Sequence, residues 1–250
     1  MQEDIAIMCN DHELAYTRRG LFGLGLGAAS TAFLAGQVIP AAAQSSTEAP
    51  AARPNDISPD EALKQLMDGN GRYVANTAMN RDLSAGRAAR AQAQYPFAGL
   101  ISCADSRVAP ELAFDQGPGE LFVVRVAGNF VDVSGLASIE YGVAVLGIPL
   151  LMVLGHSGCG AVDATIKVVQ DGTELPGHLP ELIANLKPGV QKALAEKPAD
   201  PLAAATKANV VYNVQKLEKA TPIVEEAVST GKVKVVGGIY DIATGKVELI

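Results

Sequence analysis

Four short apolar runs, separated by stretches of helical periodicity, constrain the fold of this chain more than any other feature. They lie at 97–102 (Phe-Ala-Gly-Leu-Ile-Ser), 121–126 (Leu-Phe-Val-Val-Arg-Val), 150–154 (Leu-Leu-Met-Val-Leu) and 233–240 (Val-Lys-Val-Val-Gly-Gly-Ile-Tyr). Each is too short for a buried helix, and the second is rich in β-branched residues, so each reads as a strand. Helical patterns at 134–147, 159–170, 200–219 and 221–230 fall between or beside them. Strands alternating with helices predict an α/β fold, with a central, mainly parallel β-sheet flanked by helices. After Tyr240, a Thr244-Gly245 turn predicts a hairpin and an antiparallel edge strand near the C-terminus. Upstream, Ser58-Pro59-Asp60-Glu61 starts a helix with a capping box, and Gly69 and Gly71 are expected to break it.

Composition narrows the partners. The 48% hydrophobic content suits a packed core, and the formal charge of −7 comes with no Lys/Arg-rich run. A nucleic-acid partner is therefore not expected, nor attraction to an anionic lipid surface. The three cysteines, Cys9, Cys103 and Cys159, are too few for a disulfide scaffold.

The N-terminal segment reads as an address. Residues 1–43 carry Arg18-Arg19, then an uncharged Gly/Ala/Leu run from Gly20 to Gly36, then small residues at Ala41 and Ala43 before Gln44. This resembles a twin-arginine export signal, cut before Gln44. The run also borders on the length of a single membrane anchor, the alternative reading. Gly23, Gly25 and Gly27 follow no strand and so form no nucleotide loop. Residues 44–57, polar with Ala and Pro, are expected to be a flexible linker, leaving 58–250 as the folded unit. Export implies the twin-arginine machinery as a partner of the precursor, and a periplasmic or secreted location.

Chemistry concentrates just past two strand ends. Cys103 follows the first strand, and His156 and Cys159 follow the third, in Gly155-His156-Ser157-Gly158-Cys159-Gly160. Ligands of open α/β sheets bind at such carboxyl ends. A Cys₂His set leaves the fourth position of a tetrahedral zinc free, as catalytic sites do. Asp105 stands two residues from Cys103, and Arg107 two further on, placed to aim the carboxylate through a forked ion pair. Taken singly, His156 also reads as a capping or loop histidine, Cys103 as a buried thiol, and the two cysteines as a disulfide. Arg125 reads as a structural partner for an acidic neighbour such as Glu140. His178 is expected on a surface loop, with a proton-shuttle role as the lesser alternative.

Cys103-Ala104-Asp105-Ser106-Arg107 and Gly155-His156-Ser157-Gly158-Cys159-Gly160 resemble the two signature motifs of the β-class carbonic anhydrases. Gly119 to Asn129, Ser138-Ile139-Glu140-Tyr141-Gly142 and Tyr240-Asp241 with Thr244-Gly245 resemble further family segments in order, so the likeness covers roughly 58–250. The resemblance implies a carbonic anhydrase catalytic domain over 58–250. It also implies one Zn²⁺ per subunit held by Cys103, His156 and Cys159, and a catalytic pair of Asp105 and Arg107. Substrate contacts would come from Gln94, Phe122, Tyr141 and the Gly160 backbone, partly from an adjacent subunit of a homodimer or homotetramer. From pattern alone, Phe122 and Tyr141 read equally as core aromatics. The implied reaction is reversible hydration of CO₂ to bicarbonate and a proton by hydroxide on zinc. The alternatives are a zinc hydrolase of carbon disulfide or carbonyl sulfide, or a zinc-binding protein without catalysis. A Trp-containing bicarbonate site known in some members has no counterpart, because the chain has no Trp.

Overall fold

A computed structural model describes residues 53–250. The expectations for the export signal and most of the linker lie outside these residues. Five strands form one sheet: β1 (Ala98–Ser102), β2 (Leu121–Arg125), β3 (Leu150–His156), β4 (Lys234–Tyr240) and β5 (Val247–Leu249). Their order is β2-β1-β3-β4-β5, with parallel pairing throughout except for the antiparallel β4–β5 pair at the edge. The expected α/β architecture and its C-terminal antiparallel edge are therefore present. The β4–β5 turn closes as the Thr-Gly pair suggests. Asp241 Oδ1 accepts from the Thr244 amide at 2.8 Å, and Gly245 takes φ +75°.

Eight helices surround the sheet among the described residues: α1 (Pro59–Val74), α2 (Arg87–Arg90), α3 (Pro110–Ala113), α4 (Val133–Ala144), α5 (Gly160–Asp171), α6 (Leu179–Ala195), α7 (Pro201–Glu218) and α8 (Ile223–Ser229). Every residue of β1 and β3 is buried, as expected of central parallel strands. Alternate side chains feed two cores. Ala98, Leu100, Leu150, Met152 and Leu154 pack with Leu66 of α1 and Phe114. Ile101, Leu151 and Val153 pack with Ile139 of α4 and Val210 and Leu217 of α7. A third apolar group, containing Cys103 and Cys159, lies with α5, α6 and α7 at the carboxyl rim of the sheet.

Four local expectations change. The capping box at Ser58 forms as read, with the Glu61 carboxylate accepting the Ser58 amide at 2.9 Å. The helix does not break at its glycines, however, and α1 runs unbroken to Val74. Gly69 serves as a contact point: a Cβ there would stand 1.8 Å from the Phe114 carbonyl oxygen. The packed body also begins before Ser58. Asn55 is buried, and its Nδ2 donates to the carbonyls of Leu146 at 2.8 Å and Pro96 at 3.1 Å.

α6 stands where the helical patterns of the sequence leave a gap between 170 and 200, and it carries Pro188-Gly189 in its middle. The helix continues because Gly189 lets α6 close on α7. A Cβ at 189 would meet the Asn209 Cα at 2.8 Å. Finally, β2 is an edge strand of intermediate exposure rather than a fully buried one.

The two glycines of α1 give opposite predictions. Gly69→Ala should cost at least about 2 kcal/mol in urea denaturation, because the methyl group has no room. Gly71→Ala meets nothing within 4 Å and should gain about 0.5–1 kcal/mol from lost chain freedom. Equal effects would contradict the close packing of α1 on α3.

Candidate metal centre

Register brings the site together. Ser102 of β1 pairs with Leu154 of β3, so Cys103 leaves the sheet beside Gly155, one residue before His156. Cys159 is the N-cap of α5, reached through a turn with Gly158 at φ +66°. This turn hangs from β4. The Ser157 amide donates to the Tyr240 carbonyl at 2.9 Å, and Ser157 Oγ accepts from the Ile242 amide at 3.0 Å. The Sγ atoms of Cys103 and Cys159 and a ring nitrogen of His156 all lie within 4.8 Å of one another. All three residues are buried, and neither cysteine is in a disulfide.

The protonation pattern of this trio suits a cation. His156 Nδ1 lies 3.0 Å from the Ser157 carbonyl, which can only accept, so Nδ1 carries the proton. Nε2 is left with a lone pair, buried, with no hydrogen-bond partner in the protein. An orphaned buried acceptor is costly unless something binds it. The Cys103 thiol is held well below the ordinary range, chiefly by a hydrogen bond from Cys159, and the same contact pushes Cys159 up. The two buried sulfurs stand close enough to compete for one proton, and a positive ion between them would favour ionisation of both. Two thiolates and an imidazole nitrogen at these separations fit a tetrahedral metal ion with a remaining position.

The loop after β1 presents its carboxylate rigidly. Arg107 forks onto Asp105, Nε to Oδ1 at 2.9 Å and Nη2 to Oδ2 at 2.7 Å, and its backbone amide adds a third bond to Oδ1 at 2.9 Å. These bonds hold the Asp105 carboxyl far below its ordinary range, so it is ionised at neutral pH. Its Oδ2 stands 3.9 Å from His156 Nε2, beside the trio without filling it.

Arg125 departs from the expected pairing with an acid. Its Nε donates to the Cys103 carbonyl at 2.9 Å, and its Nη2 to those of Asp105 at 2.9 Å and Val108 at 2.7 Å. It therefore staples the whole ligand loop. Sequence gave no signal for this, since backbone carbonyls carry no residue identity. The Gly128 amide, donating to Cys103 Sγ at 3.3 Å, escaped the sequence reading for the same reason.

Other candidates are placed as follows. Gly160 is the first residue of α5, next to Cys159, and a Cβ on it would meet nothing within 4 Å, so its backbone borders open space. Gln94 precedes β1 and therefore lies at the opposite end of the sheet from Cys103, about 13 Å of strand away. Phe122 pairs with Gly99, also low on the sheet, and its ring stands 6.4 Å from that of Tyr141 on α4. Within one chain these three do not join the trio. His178, N-cap of α6, has a side chain 97% exposed and stands 3.9 Å from Glu181 on the surface.

The Arg107 clamp has a measurable consequence for pH. Asp105 titrates below its ordinary value, so the pair's stabilisation is complete above about 3.9 and is lost as pH falls through the depressed value. In the metal-free chain, Arg107→Ala should move the Asp105 titration up toward about 3.9, read from its carboxyl ¹³C shift. An unmoved titration would contradict the clamp.

Comparison with known proteins agrees with this geometry. Residues 98–247 match the carbonic anhydrase family model. A carbonic anhydrase of Mycolicibacterium smegmatis is 38% identical over 196 residues, covering 77% of this chain and 93% of that protein. Among solved structures, a Coccomyxa β-carbonic anhydrase in complex with acetazolamide is similar at TM-score 0.58 and 32% identity, covering 75% of this chain and 86% of that one. A tetrameric β-carbonic anhydrase of Sordaria macrospora shares the fold at TM-score 0.61 and 24% identity, covering 76% of this chain and 97% of that one. With a family match over most of the folded body and a relative this similar over nearly its whole length, the chain belongs to the β-class carbonic anhydrase family.

Proposed function

We propose that this protein is a zinc-dependent carbonic anhydrase that interconverts CO₂ and bicarbonate, working outside the cytoplasm after twin-arginine export. The observation that carries the reading is the unpartnered, buried Nε2 of His156 facing two thiols and a clamped carboxylate. Zinc held there by Cys103, His156 and Cys159 would supply the Lewis acidity that makes a water acidic enough to serve as nucleophile near neutral pH. Two thiolates already cancel the ion's charge, so help from outside the ligand set matters.

Asp105 gives that help. Fixed by Arg107 and kept ionised near neutral pH, its carboxylate would accept a hydrogen bond from the nucleophile and so orient it toward the CO₂ carbon. The Arg107 bonds hold the Asp105 carboxylate beside the trio and would compete with any move of it toward a bound ion. The open space over Gly160 leaves its backbone amide, at the positive end of α5, able to meet a bicarbonate oxygen. The apolar wall of Val162, Ile166 and Val190 near the two cysteines keeps the region dry, which strengthens these contacts.

The distant candidates support a shared pocket. Gln94, Phe122 and Tyr141 lie low on the sheet, near the outer edge of β2, and α4 beside them exposes Val133 at 86%. A second copy of the chain docking there would bring these three to its partner's metal, in a homodimer or a tetramer built from such dimers. The export signal implies a periplasmic or secreted enzyme, loaded with zinc before its cysteines meet an oxidising compartment.

Stopped-flow CO₂ hydration tests the proposal. The zinc-loaded chain should be active, chelation should abolish the activity and added zinc restore it. Asp105→Asn should lower it about a hundredfold with zinc still bound. Light scattering on the same active sample should give an even-numbered assembly. An inactive chain with full zinc would refute the function, and a fully active monomer would refute the shared pocket.

A further inference from the structure

α7 turns polar side chains inward where apolar ones would be expected. Thr206, Asn209 and Asn213 are 3%, 0% and 1% exposed on a helix whose neighbouring core positions are Ala205, Val210 and Leu217. Buried amides are costly unless their bonds are made, and an apolar stripe would pack as well. The bonds of the two asparagines converge on one short segment, the turn 128–131 that follows β2.

Asn209 Nδ2 donates to the Gly128 carbonyl at 2.8 Å. The amide of the same Gly128 donates to Cys103 Sγ at 3.3 Å. Asn213 locks Asn209 in place, its Nδ2 reaching Asn209 Oδ1 at 3.0 Å and the Asn209 carbonyl at 2.8 Å. Asn213 Oδ1 in turn accepts the Val131 amide at 2.8 Å. Because a backbone N–H can only donate, that last bond fixes which way the Asn213 amide points. That orientation in turn fixes the Asn209 amide.

The tether has a reason to exist. Gly128 sits at φ +86°, a region open to glycine, and a glycine is free to swing. A Cβ there would meet Leu186 Cδ1 at 2.8 Å, so the residue cannot be stiffened by a side chain. The Gly128 carbonyl and N–H lie on different peptide planes that share one Cα, so holding that carbonyl from α7, with the Asn129 amide held on the Val126 carbonyl at 2.9 Å, fixes the turn from which the N–H points.

We propose that Asn209, locked by Asn213, is a positioning residue that aims the Gly128 amide at the Cys103 thiolate and so tunes the metal from the second layer. This rests on the metal-binding reading above. An N–H···S bond withdraws charge from sulfur, weakens its donation to the metal, and leaves the ion a stronger Lewis acid. Neither asparagine touches substrate or metal.

The test uses the full chain loaded with cobalt(II) or zinc and three variants. Asn209→Asp keeps the shape but sets an acceptor against the Gly128 carbonyl. Asn213→Ala leaves the Asn209 donor but frees it to turn. Leu66→Ala, buried on α1 in a separate apolar cluster, controls for loss of stability alone. Asn209→Asp should shift the thiolate-to-cobalt charge-transfer band to longer wavelength. The loosened turn must also be ordered again on binding, and this loss of preorganisation should outweigh the stronger sulfur donation and weaken zinc binding about 10–100-fold in chelator competition. Asn213→Ala should shift both in the same direction by less, and it decides the matter if Asn209→Asp does not fold. Leu66→Ala should lower the melting temperature but leave band and affinity unchanged. Asparagine variants that match Leu66→Ala in band and affinity would overturn the proposal. An unaltered chain that takes up neither metal would overturn the metal reading itself, and this proposal with it.

Discussion

Ser102 lies opposite Leu154 in the parallel pairing of β1 with β3, and the site depends on that register. It sets Cys103 beside the residue preceding His156, at the same rim and depth. A slip of one residue would turn each strand's core side chains to the wrong face, so the burial of Leu100, Met152 and Leu154 on one side and Ile101 and Val153 on the other enforces it. The hydrophobic effect, acting on side chains that never see substrate, thus fixes a distance between ligand atoms. Gly99 and Gly155 add to this by admitting Leu151 and Val210, whose methyl groups would stand 2.8 and 2.6 Å from a Cβ.

Around that register the protein arranges charge in layers. The innermost layer is two sulfurs and an imidazole nitrogen without a hydrogen-bond partner, all buried. The next is Asp105, whose negative charge would repel the sulfurs were it not neutralised by Arg107. Outside it, Arg125 spends its donors on three carbonyls, holding the loop's backbone. The two arginines have different tasks: one sets the electrostatics of a side chain, the other the path of the chain.

Much of this was legible in sequence, for identifiable reasons. β1 and β3 could be read because strands buried on both faces become uninterrupted apolar runs. The ligands could be read because their positions follow directly from the strand ends. α6 could not, since Pro188-Gly189 signals a break locally, while the reason for its continuity is a helix crossing at Asn209. Arg125 was assigned a charged partner because sequence displays charges and hides carbonyls. Asn209 and Asn213 did leave a signal, amides four residues apart among the apolar positions of a helix. The separation of Gln94 from Cys103 was also implicit, since one precedes β1 and the other follows it. What stays invisible to a single sequence is which residues a second copy would bring.

X-ray absorption at the zinc edge of the loaded protein tests the central claim most directly. The account predicts two sulfur neighbours at about 2.3 Å and two nitrogen or oxygen neighbours at about 2.0–2.1 Å. One of the lighter neighbours would be His156. A shell of four sulfurs, a single sulfur, or zinc that washes away while Cys103 and Cys159 remain reduced would contradict it.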